Sequence, residues 1–398
     1  MTNLPQGWEV KKLEEIANIK GGKRLPKGKN LLDNNTKFAY IRVADFQDNG
    51  TINLQNIKFI NENTYNVLKN YKIYDDNLYI SIAGTIGKSG IIPKELNGAI
   101  LTENAVKLEY IQNNISNKFM YFFTLSNIFK TQIQTSTKIV AQPKLAITRL
   151  KQIQIPLPPL KEQERIVGIL DESFAKIDES IKILEQDLLN LDELMQSALQ
   201  KAFNPLKDNA KENYKLPQSW EWKSLEEISE NISAGGDKPK NCTESKTAKN
   251  QIPVYANGVN NNGLVGYTDK ATIIKPSLTI SARGTIGFVC IRKEPYFPIV
   301  RLISLIPCEN ILCLHYLYFC LNFFIAKGEG SSIPQLTIPK FKSLQIPLPP
   351  LQEQEQIAEH LDFVFEKAKA LKELYTKELK DYEELKQSLL DKAFKGEL

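Results

Sequence analysis

The densest cluster of basic side chains lies in KGGKRLPKGK, residues 20 to 29, a stretch that contains no acidic residue. Its basic members are Lys20, Lys23, Arg24, Lys27 and Lys29. The glycines and the proline favour a loop. Lysine and arginine on such a loop can follow a phosphate backbone, and arginine can also read base edges. The chemistry that these residues predict is the binding of a polyanion.

A second loop of the same kind, SAGGDKPKNCTESK, carries Lys238 and Lys240 beside two acidic residues, Asp237 and Glu244. The asparagine-rich stretch ANGVNNNG offers amide groups that could read bases, although Asn-Gly runs more often form plain turns. Lysine-rich surfaces also serve solubility alone, so the pattern favours nucleic acid without requiring it. The remaining members of the predicted DNA-contacting set are Asn257, Asn260, Arg42, Lys88 and Arg283.

Motifs for catalysis are missing. GTIGK (84 to 88) lacks the GxxxxGK[ST] spacing of a phosphate loop, and its second copy ends in Phe288, so a tight turn between strands is predicted. Two histidines, His315 and His360, leave few candidates for a catalytic triad, and no HExxH or GxGxxG occurs. Asn204-Pro205-Leu206 lacks the rest of an adenine-methylating motif. We therefore expect no catalytic residue, metal site or cofactor in this chain.

Length and composition indicate a globular protein of at least two domains, because 398 residues with 42% hydrophobic content exceed one ordinary core. The chain opens without an apolar run of signal-peptide length, and its five cysteines include no CxxC pair. We expect a cytoplasmic protein with reduced cysteines. The apolar stretch 310 to 326 is too short to span a membrane and predicts a buried helix.

The chain repeats itself once. LPQGWEVKKLEEI (4 to 16) returns as LPQSWEWKSLEEI (216 to 228), GTIG returns 200 residues later, and QIPLPPLKEQERI (154 to 166) returns as QIPLPPLQEQEQI (345 to 357). The offset shrinks along the repeat and then stays at 191 from the proline motif onward. The period is far longer than that of a solenoid. The repeated unit is thus a body of variable length followed by a tail of fixed length.

The fixed tail predicts a long helix. Prolines 156, 158 and 159 hold the chain extended and end the preceding element, so a helix can begin directly after them. Apolar residues then recur in steps of four and three, which is the seam of a coiled coil. The seam positions are Leu170, Phe174, Ile177, Ile181, Leu184, Leu188, Leu191, Met195 and Ala198.

The second tail, 351 to 395, has a poorer seam, because Lys372 and Lys386 fall at two of its positions. Leu371 and Leu385 stand next to them, and we expect the seam to shift onto these leucines. The two tails are predicted to pair with each other in antiparallel fashion, which relates the halves by a pseudo-twofold axis. The alternative is that each helix pairs with another molecule.

Charge separates the bodies from the tails. The net charge is +8 for residues 1 to 150 and +5 for 206 to 342, but −4 for both 151 to 205 and 343 to 398. Basic bodies and acidic helices are what we expect if the bodies contact phosphates and the helices contact protein.

These landmarks together resemble the specificity subunit of type I restriction-modification systems. The resemblance covers the whole chain and rests on LPQGWEVKKLEEI, GGKRLP, FAYIRVADF (38 to 46), GTIGK and QIPLPPLKEQERI. It implies an α+β protein with two mixed α/β target-recognition domains separated by two long antiparallel coiled-coil helices. Residues 1–150 and 206–342 would be the recognition domains, and 151–205 and 343–398 the central and C-terminal spacer helix regions.

The same resemblance implies the partners. Each recognition domain would read one half of a split site in double-stranded DNA, and the spacer helices would dock two modification (methyltransferase) subunits, which restriction subunits join. Methylation and cleavage, with their S-adenosylmethionine and ATP, would belong to those partners, and no membrane is involved.

Three other hypotheses remain open. The chain could be the recognition subunit of a fused restriction system of another type, or a coiled-coil scaffold whose basic bodies bind protein or RNA. The scaffold predicts weak duplex binding that ignores sequence. A methyltransferase or nuclease is opposed by the missing motifs.

Overall fold

The computed structural model describes residues 4–136, 144–207, 217, 219–325, 328–329 and 335–398. Two residues of the second opening motif, Leu216 and Gln218, lie outside the described residues. The chain divides into two compact units. Unit 1 comprises residues 1–184 and 377–398, and unit 2 comprises residues 185–376. Each unit holds one globular domain, called domain 1 and domain 2 below, together with parts of two long helices.

The described residues of domain 1 form ten strands and five α-helices. The strands are β1 (Glu9–Lys12), β2 (Ala17–Gly21), β3 (Ala39–Ile41), β4 (Lys58–Phe59), β5 (Lys72–Ile73), β6 (Leu78–Ser81), β7 (Ser89–Ile91), β8 (Ala99–Leu101), β9 (Ala105–Tyr110) and β10 (Gln154–Leu157). The helices are α1 (Leu13–Ile16), α2 (Glu62–Val67), α3 (Asn117–Leu125), α4 (Asn127–Ser136) and α5 (Ile147–Lys151). A helix of 48 residues, α6 (Leu160–Lys207), follows β10.

The core of domain 1 lies between a four-stranded sheet and its helices. The sheet has the order β2-β9-β6-β7, and all its pairings are antiparallel. Strand β6 is buried along its whole length. Its Leu78 and Ile80 share a core cluster with buried residues of α3, whereas Tyr79 packs in a second cluster beside Phe46. A second sheet, β4-β3-β8-β5, contains the parallel pair β3–β8. Burial on both faces explains why β6 reads as a continuous apolar run with no alternation.

Domain 2 repeats this plan. Its strands are β11 (Glu221–Ser224), β12 (Ser229–Ala234), β13 (Ile252–Tyr255), β14 (Leu264–Thr268), β15 (Ser277–Ile280), β16 (Thr285–Ile286), β17 (Val289–Arg292), β18 (Phe297–Pro298), β19 (Ile303–Pro307), β20 (Gly328–Glu329) and β21 (Gln345–Leu348). Its helices are α7 (Leu314–Phe324) and α8 (Ile338–Lys342), and α9 (Leu351–Ala393) is the second long helix. The sheet β12-β19-β15-β17 matches β2-β9-β6-β7, and the parallel pair β13–β18 matches β3–β8.

The two most strongly repeated motifs pair with each other. Strand β1 of the opening motif is antiparallel to β10 of the proline motif, with Glu9 opposite Leu157. Strand β11 is antiparallel to β21 in the same register, with Glu221 opposite Leu348. The predicted extended connector is therefore a strand, and its prolines are tolerated because the sheet has only two strands and both are edges.

The long helices confirm the predicted seam. Leu170, Ile177, Leu184 and Leu191, each seven residues from the next, are at most 8% exposed. Helices α6 and α9 pair in antiparallel fashion inside the chain in both units. In unit 1, Arg165 donates to the carbonyl of Leu398 while Asp178 pairs with Lys386, and in unit 2 Asp192 pairs with Lys372.

The expected shift of the second seam is wrong. Leu371 and Leu385 are 39% and 45% exposed, and the lysines keep the seam positions instead. The Lys386 side chain is 17% exposed, with its Nζ 2.5 Å from Asp178 Oδ1, and Lys372 binds Asp192. A lysine can remain there because its methylene stem packs in the seam while its ammonium group reaches an aspartate at the edge.

We expect leucine at both seam lysines to make the protein more stable and its helix pairing less specific. Each replacement buries further apolar surface, worth about 1 kcal/mol, whereas the aspartates stay solvated. A polar seam residue selects one partner and one register, so its loss should let the helices also pair between molecules and raise the average molar mass above that of the wild type. Denaturant unfolding and light scattering measure the two effects. The exposed pair Lys369→Leu and Lys392→Leu is the control, and a large loss of stability in the seam variant would refute this expectation.

Each domain is closed by the end of a long helix. In unit 1 the Phe394 ring, near the end of α9, packs 5.1 Å from Phe119 and 5.5 Å from Phe123, centroid to centroid. In unit 2 Phe203, near the end of α6, packs 5.7 Å from Tyr316. Both phenylalanines come from the repeated KAF of the tails, which accounts for the fixed tail length.

The prediction of a buried helix in the second body is confirmed. The stretch 310 to 326 contains the buried helix α7, and the described residues include no helix long and apolar enough to cross a membrane. All five cysteines are free thiols. GTIG lies in the connection between two paired strands in both domains, β6 and β7 or β15 and β17, although in domain 2 its Thr285 and Ile286 also form the short strand β16. Gly84 and Gly284 have positive φ angles of 76° and 70°.

Candidate nucleic-acid interface

The basic loop of domain 1 leaves the sheet at the end of β2, where two backbones approach closely. A Cβ atom on Gly22 would overlap the carbonyl oxygens of Leu101 and Thr102, so only glycine fits. The amide of Gly22 donates to Ala105 O at 2.9 Å. In domain 2, a Cβ on Gly235 would lie 2.6 Å from the backbone nitrogen of Ile299. The Gly-Gly pairs of both loops thus place the two loops at equivalent edges of their sheets.

Three of the five basic residues in the first loop already have partners. Lys20 pairs with Glu109 at 2.5 Å, Arg24 pairs with Glu103 at 2.6 Å, and the Lys23 ammonium lies 5.8 Å from the centre of the Tyr71 ring. Lys27 and Lys29 are exposed, and neither makes an ion pair within the described ranges. The sequence overstated the free positive charge of this loop, because the acids that offset it lie far along the chain.

The acids of these pairs are ionised at neutral pH. Partial burial raises the pKa of Glu103, but the hydrogen bonds from Arg24, the backbone and Thr102, together with the charge of Arg24, outweigh burial and lower it below its ordinary value. The pKa of Glu109 is lowered in the same way by Lys107 and Lys20. Lys20 and Arg24 therefore present less net charge to an anion than the two exposed lysines do.

Arg42 and Lys88 are also engaged. The Arg42 guanidinium donates to both carboxylate oxygens of the buried Asp45, at 3.1 and 2.6 Å, and to the carbonyl of Asn56. Lys88 pairs with Asp48 at 2.7 Å. Contact with a nucleic acid stays a prediction for both residues, and it would require each to exchange or share its present partner.

Of the five predicted residues in domain 2, four are exposed and one is hydrogen-bonded at both ends of its side chain. Lys238, Lys240, Asn260 and Arg283 are exposed, and Arg283 donates to Gln335 at 3.1 Å. Asn257 instead uses both ends of its amide. Its Nδ2 donates to Val300 O at 2.7 Å, and its Oδ1 accepts from the amide of Ala282 at 2.8 Å. Asn257 therefore ties three loops together.

The asparagine-rich stretch is a turn held in place by a buried arginine. Asn261 and Asn262 have left-handed backbones with φ of 51° and 52°. Arg292, 8% exposed, donates to the carbonyl of Asn262 at 2.5 Å, and its guanidinium carbon lies 3.6 Å from the centre of the Tyr255 ring. Sequence reasoning missed this support, because Arg292 resembles any surface arginine at the end of a strand.

A buried glutamine joins each domain to its long helix. Gln163 is 1% exposed in the first turn of α6, where it accepts from the amide of Ser116 at 2.9 Å and donates to the carbonyls of Asn114 and Pro158. Gln354 repeats this set with the amide of Cys313 and the carbonyls of Ile311 and Pro349. The glutamine of the repeated PLPPLxEQ motif therefore anchors each domain to the start of its long helix.

A side-chain contact adds to the same junction in each unit. Lys118 of α3 pairs with Asp171 of α6 at 2.6 Å, and His315 of α7 lies 2.6 Å from Asp362 of α9. Each domain is therefore fixed to the start of its long helix by equivalent contacts.

Comparison with known proteins decides what these domains are. The family model for the type I restriction modification DNA specificity domain matches residues 5–188 and again residues 217–380. The chain belongs to this family. It is a DNA specificity subunit, which recognises sequence in a restriction-modification system and leaves the enzymatic activities to other subunits.

Relatives and solved structures agree. The subunit is 29% identical over 357 residues to a Mycoplasma pneumoniae protein named as a type I specificity subunit, covering 88% of this chain and 87% of the relative. It is 23% identical to the StySPI specificity subunit of Salmonella potsdam, covering 99% and 90%. Its fold matches a chain from a structure of the type I system with a TM-score of 0.81 at 20% identity, covering all of both chains. The HsdS subunit of Thermoanaerobacter tengcongensis matches with a TM-score of 0.64 at 21% identity, covering 100% of this chain and 98% of that one.

The specificity subunit has no metal cluster in the part of the chain that the structure describes, where no group of three or more histidine, cysteine or acidic residues could hold an ion. The scaffold hypothesis is not favoured by the family match.

Proposed function

We propose that this specificity subunit reads a bipartite site in double-stranded DNA, with residues 1–150 reading one half and residues 206–342 the other. The spacer regions 151–205 and 343–398 would set the distance between the half-sites. The observation that carries the proposal is the repeated junction, in which Gln163 and Gln354 hold two domains of one plan at the starts of two long helices. Two recognition domains that are each fixed to a long helix suit a split DNA site better than a continuous one.

The divergence of the two loop sets supports different half-sites. In domain 1 the loop after β2 carries Lys27 and Lys29 as exposed cations, whereas in domain 2 the equivalent loop carries Lys238 and Lys240 beside Asp237. The sheets of the two domains follow the same plan, whereas the exposed side chains of their loops differ. Base readout depends on those exposed side chains, and phosphate contacts depend mainly on charge.

The long helices would dock modification subunits, two in number, one for each half of the repeat. Support comes from their acidic charge and from exposed apolar side chains on α9 in unit 2. Phe363, Leu371 and Leu374 are 61%, 39% and 55% exposed, and helical geometry places all three on one face turned away from the seam. Methyl transfer and cleavage, with S-adenosylmethionine and ATP, would then take place on the partners, including the restriction subunits.

Duplex binding tests the proposal directly. The specificity subunit with its modification subunits should bind a duplex that carries both half-sites, lose affinity when either half-site is scrambled, and lose it again when the spacing between them is changed. Binding that depends on one half-site alone, or on neither, would refute the bipartite assignment.

Substitution of the two free lysines in the first loop should weaken binding to every duplex. If Lys27 and Lys29 each contact a phosphate, the double variant Lys27→Ala and Lys29→Ala should make the salt dependence of binding shallower. The negative slope of the logarithm of the association constant against the logarithm of the salt concentration should shrink by about 2. The matched control is Lys69→Ala with Lys94→Ala, two exposed lysines elsewhere in domain 1. An unchanged slope in the loop variant would remove this loop from the interface.

A further inference from the structure

Domain 2 contains two adjacent residues in a backbone conformation that side chains rarely adopt. Val300 and Arg301, in the loop that follows β18, have φ angles of 54° and 60°. A β-branched valine in this region is an outlier, and each such residue costs on the order of 1–3 kcal/mol. Neither side chain recovers this cost by burial, since Val300 is 51% exposed and Arg301 is also exposed.

The surrounding loops force this conformation on the pair. The amide of Val300 donates to Gly236 O and that of Arg301 to Gly235 O, both at 2.8 Å. The carbonyl of Val300 accepts from Asn257, which is itself bonded to Ala282. Strain that is held by several contacts and not repaid by packing is characteristic of functional positions.

The Arg301 side chain is available to a ligand. Within the described ranges it makes no hydrogen bond, ion pair or ring contact. The other exposed arginine of this edge, Arg283, is on the turn that Asn257 ties to the Val300 carbonyl. Because the backbone on both sides is bonded, the direction in which the Arg301 side chain leaves the loop is fixed.

The equivalent residues of domain 1 do not form such a strained turn. The bonds Gly22 N to Ala105 O and Gly235 N to Leu302 O align the two loops, so Arg301 corresponds to Asn104 and Val300 to Glu103. Neither domain 1 residue has a positive φ, and Glu103 binds Arg24. The strained arginine is therefore a feature of the second reader, as expected for a residue that contributes to a half-site of its own.

We propose that Arg301 is a specificity-determining residue of domain 2 that reads a guanine through its O6 and N7 atoms in the major groove. Guanine is the base that offers two acceptors at the spacing of a guanidinium group. A fixed backbone lets the side chain bind a base edge without first ordering its loop, so less entropy is lost on binding. The inference rests on the proposed function, since it requires domain 2 to read a half-site.

The test compares Arg301→Ala with wild type in the complex with modification subunits, using duplexes that carry each single base-pair change in both half-sites. Wild type should discriminate against the change at one G·C pair of one half-site by about 5- to 150-fold, which corresponds to the 1–3 kcal/mol of a bidentate contact. In Arg301→Ala that discrimination should fall to near onefold, with every other position and the salt slope nearly unchanged. Arg301→Lys should restore the charge but only part of the discrimination.

Lys293→Ala, which removes an exposed cation from the same domain, is the matched control and should leave all base preferences intact. Uniform weakening across all duplexes in Arg301→Ala, with a shallower salt slope, would mean a phosphate contact and would overturn the proposal. So would an unchanged pattern. If wild type itself shows no base preference at any position, the proposed function fails and not only the role of Arg301.

Discussion

Replacement of Gln163 by leucine should destabilise the junction between domain 1 and α6 by about 2–5 kcal/mol. The buried amide makes three hydrogen bonds, and leucine of similar size would leave the Ser116 amide and two carbonyls without those partners. Each buried polar group left unpaired costs about 1–3 kcal/mol. Gln354→Leu should do the same in unit 2, because its bonds are equivalent.

Hydrogen exchange locates the effect. Amides at the start of α3 should lose protection in Gln163→Leu, and those at the start of α7 in Gln354→Leu, each without change in the other unit. Glu164→Leu and Glu355→Leu alter exposed neighbours in the same helix turns and serve as controls. Wild-type protection in both glutamine variants would show that the motif does not secure the domains.

Insertion of four residues into both long helices should lengthen the recognised spacer by one or two base pairs. Four residues add about 6 Å of helix and turn it about 40° beyond a full turn. A base pair adds about 3.4 Å and, at 10–10.5 base pairs per turn, about 35°. The change in distance and the change in rotation therefore both suit a small shift along the duplex.

The seam lysines define where to insert. One insertion belongs between Asp178 and Asp192 of α6 and the other between Lys372 and Lys386 of α9, so that both ion pairs keep their partners. Binding is measured to duplexes that carry the same half-sites with spacers of increasing length. Insertion into one helix alone is the control and should impair binding to all spacers, because it puts the two seams out of phase. An unchanged spacer preference in the double insertion would contradict the role of the helices as a ruler.

The repeat made much of the architecture predictable. The opening, GTIG and proline motifs recur in the same order in both halves, which requires equivalent elements, and the structure places them in matching strands, turns and helices. The heptad seam of α6 was equally clear, since local periodicity is sufficient to predict it. The boundaries at 150, 205 and 342 remain predictions, because the compact units divide both long helices and so do not test them.

What could not be predicted depends on residues distant in the chain. The seam lysines looked like defects until the structure placed Asp192 and Asp178 beside them. The basic loop looked uniformly cationic because its partners Glu103 and Glu109 lie far along the chain, Glu103 being 79 residues beyond Arg24. The sequence PIVRL contains no glycine that would signal the left-handed turn at Val300 and Arg301. Contacts between loops set these features, and local patterns do not encode them.

The most direct test of the central claim is single-molecule sequencing of DNA modifications in a host that carries this gene with its neighbours and in the same host with the gene deleted. We expect a methylated motif made of two short half-sites at a fixed distance, which disappears on deletion. Methylation that persists unchanged after deletion, or a motif that depends on the gene but is continuous, would contradict a subunit that reads two half-sites with two domains.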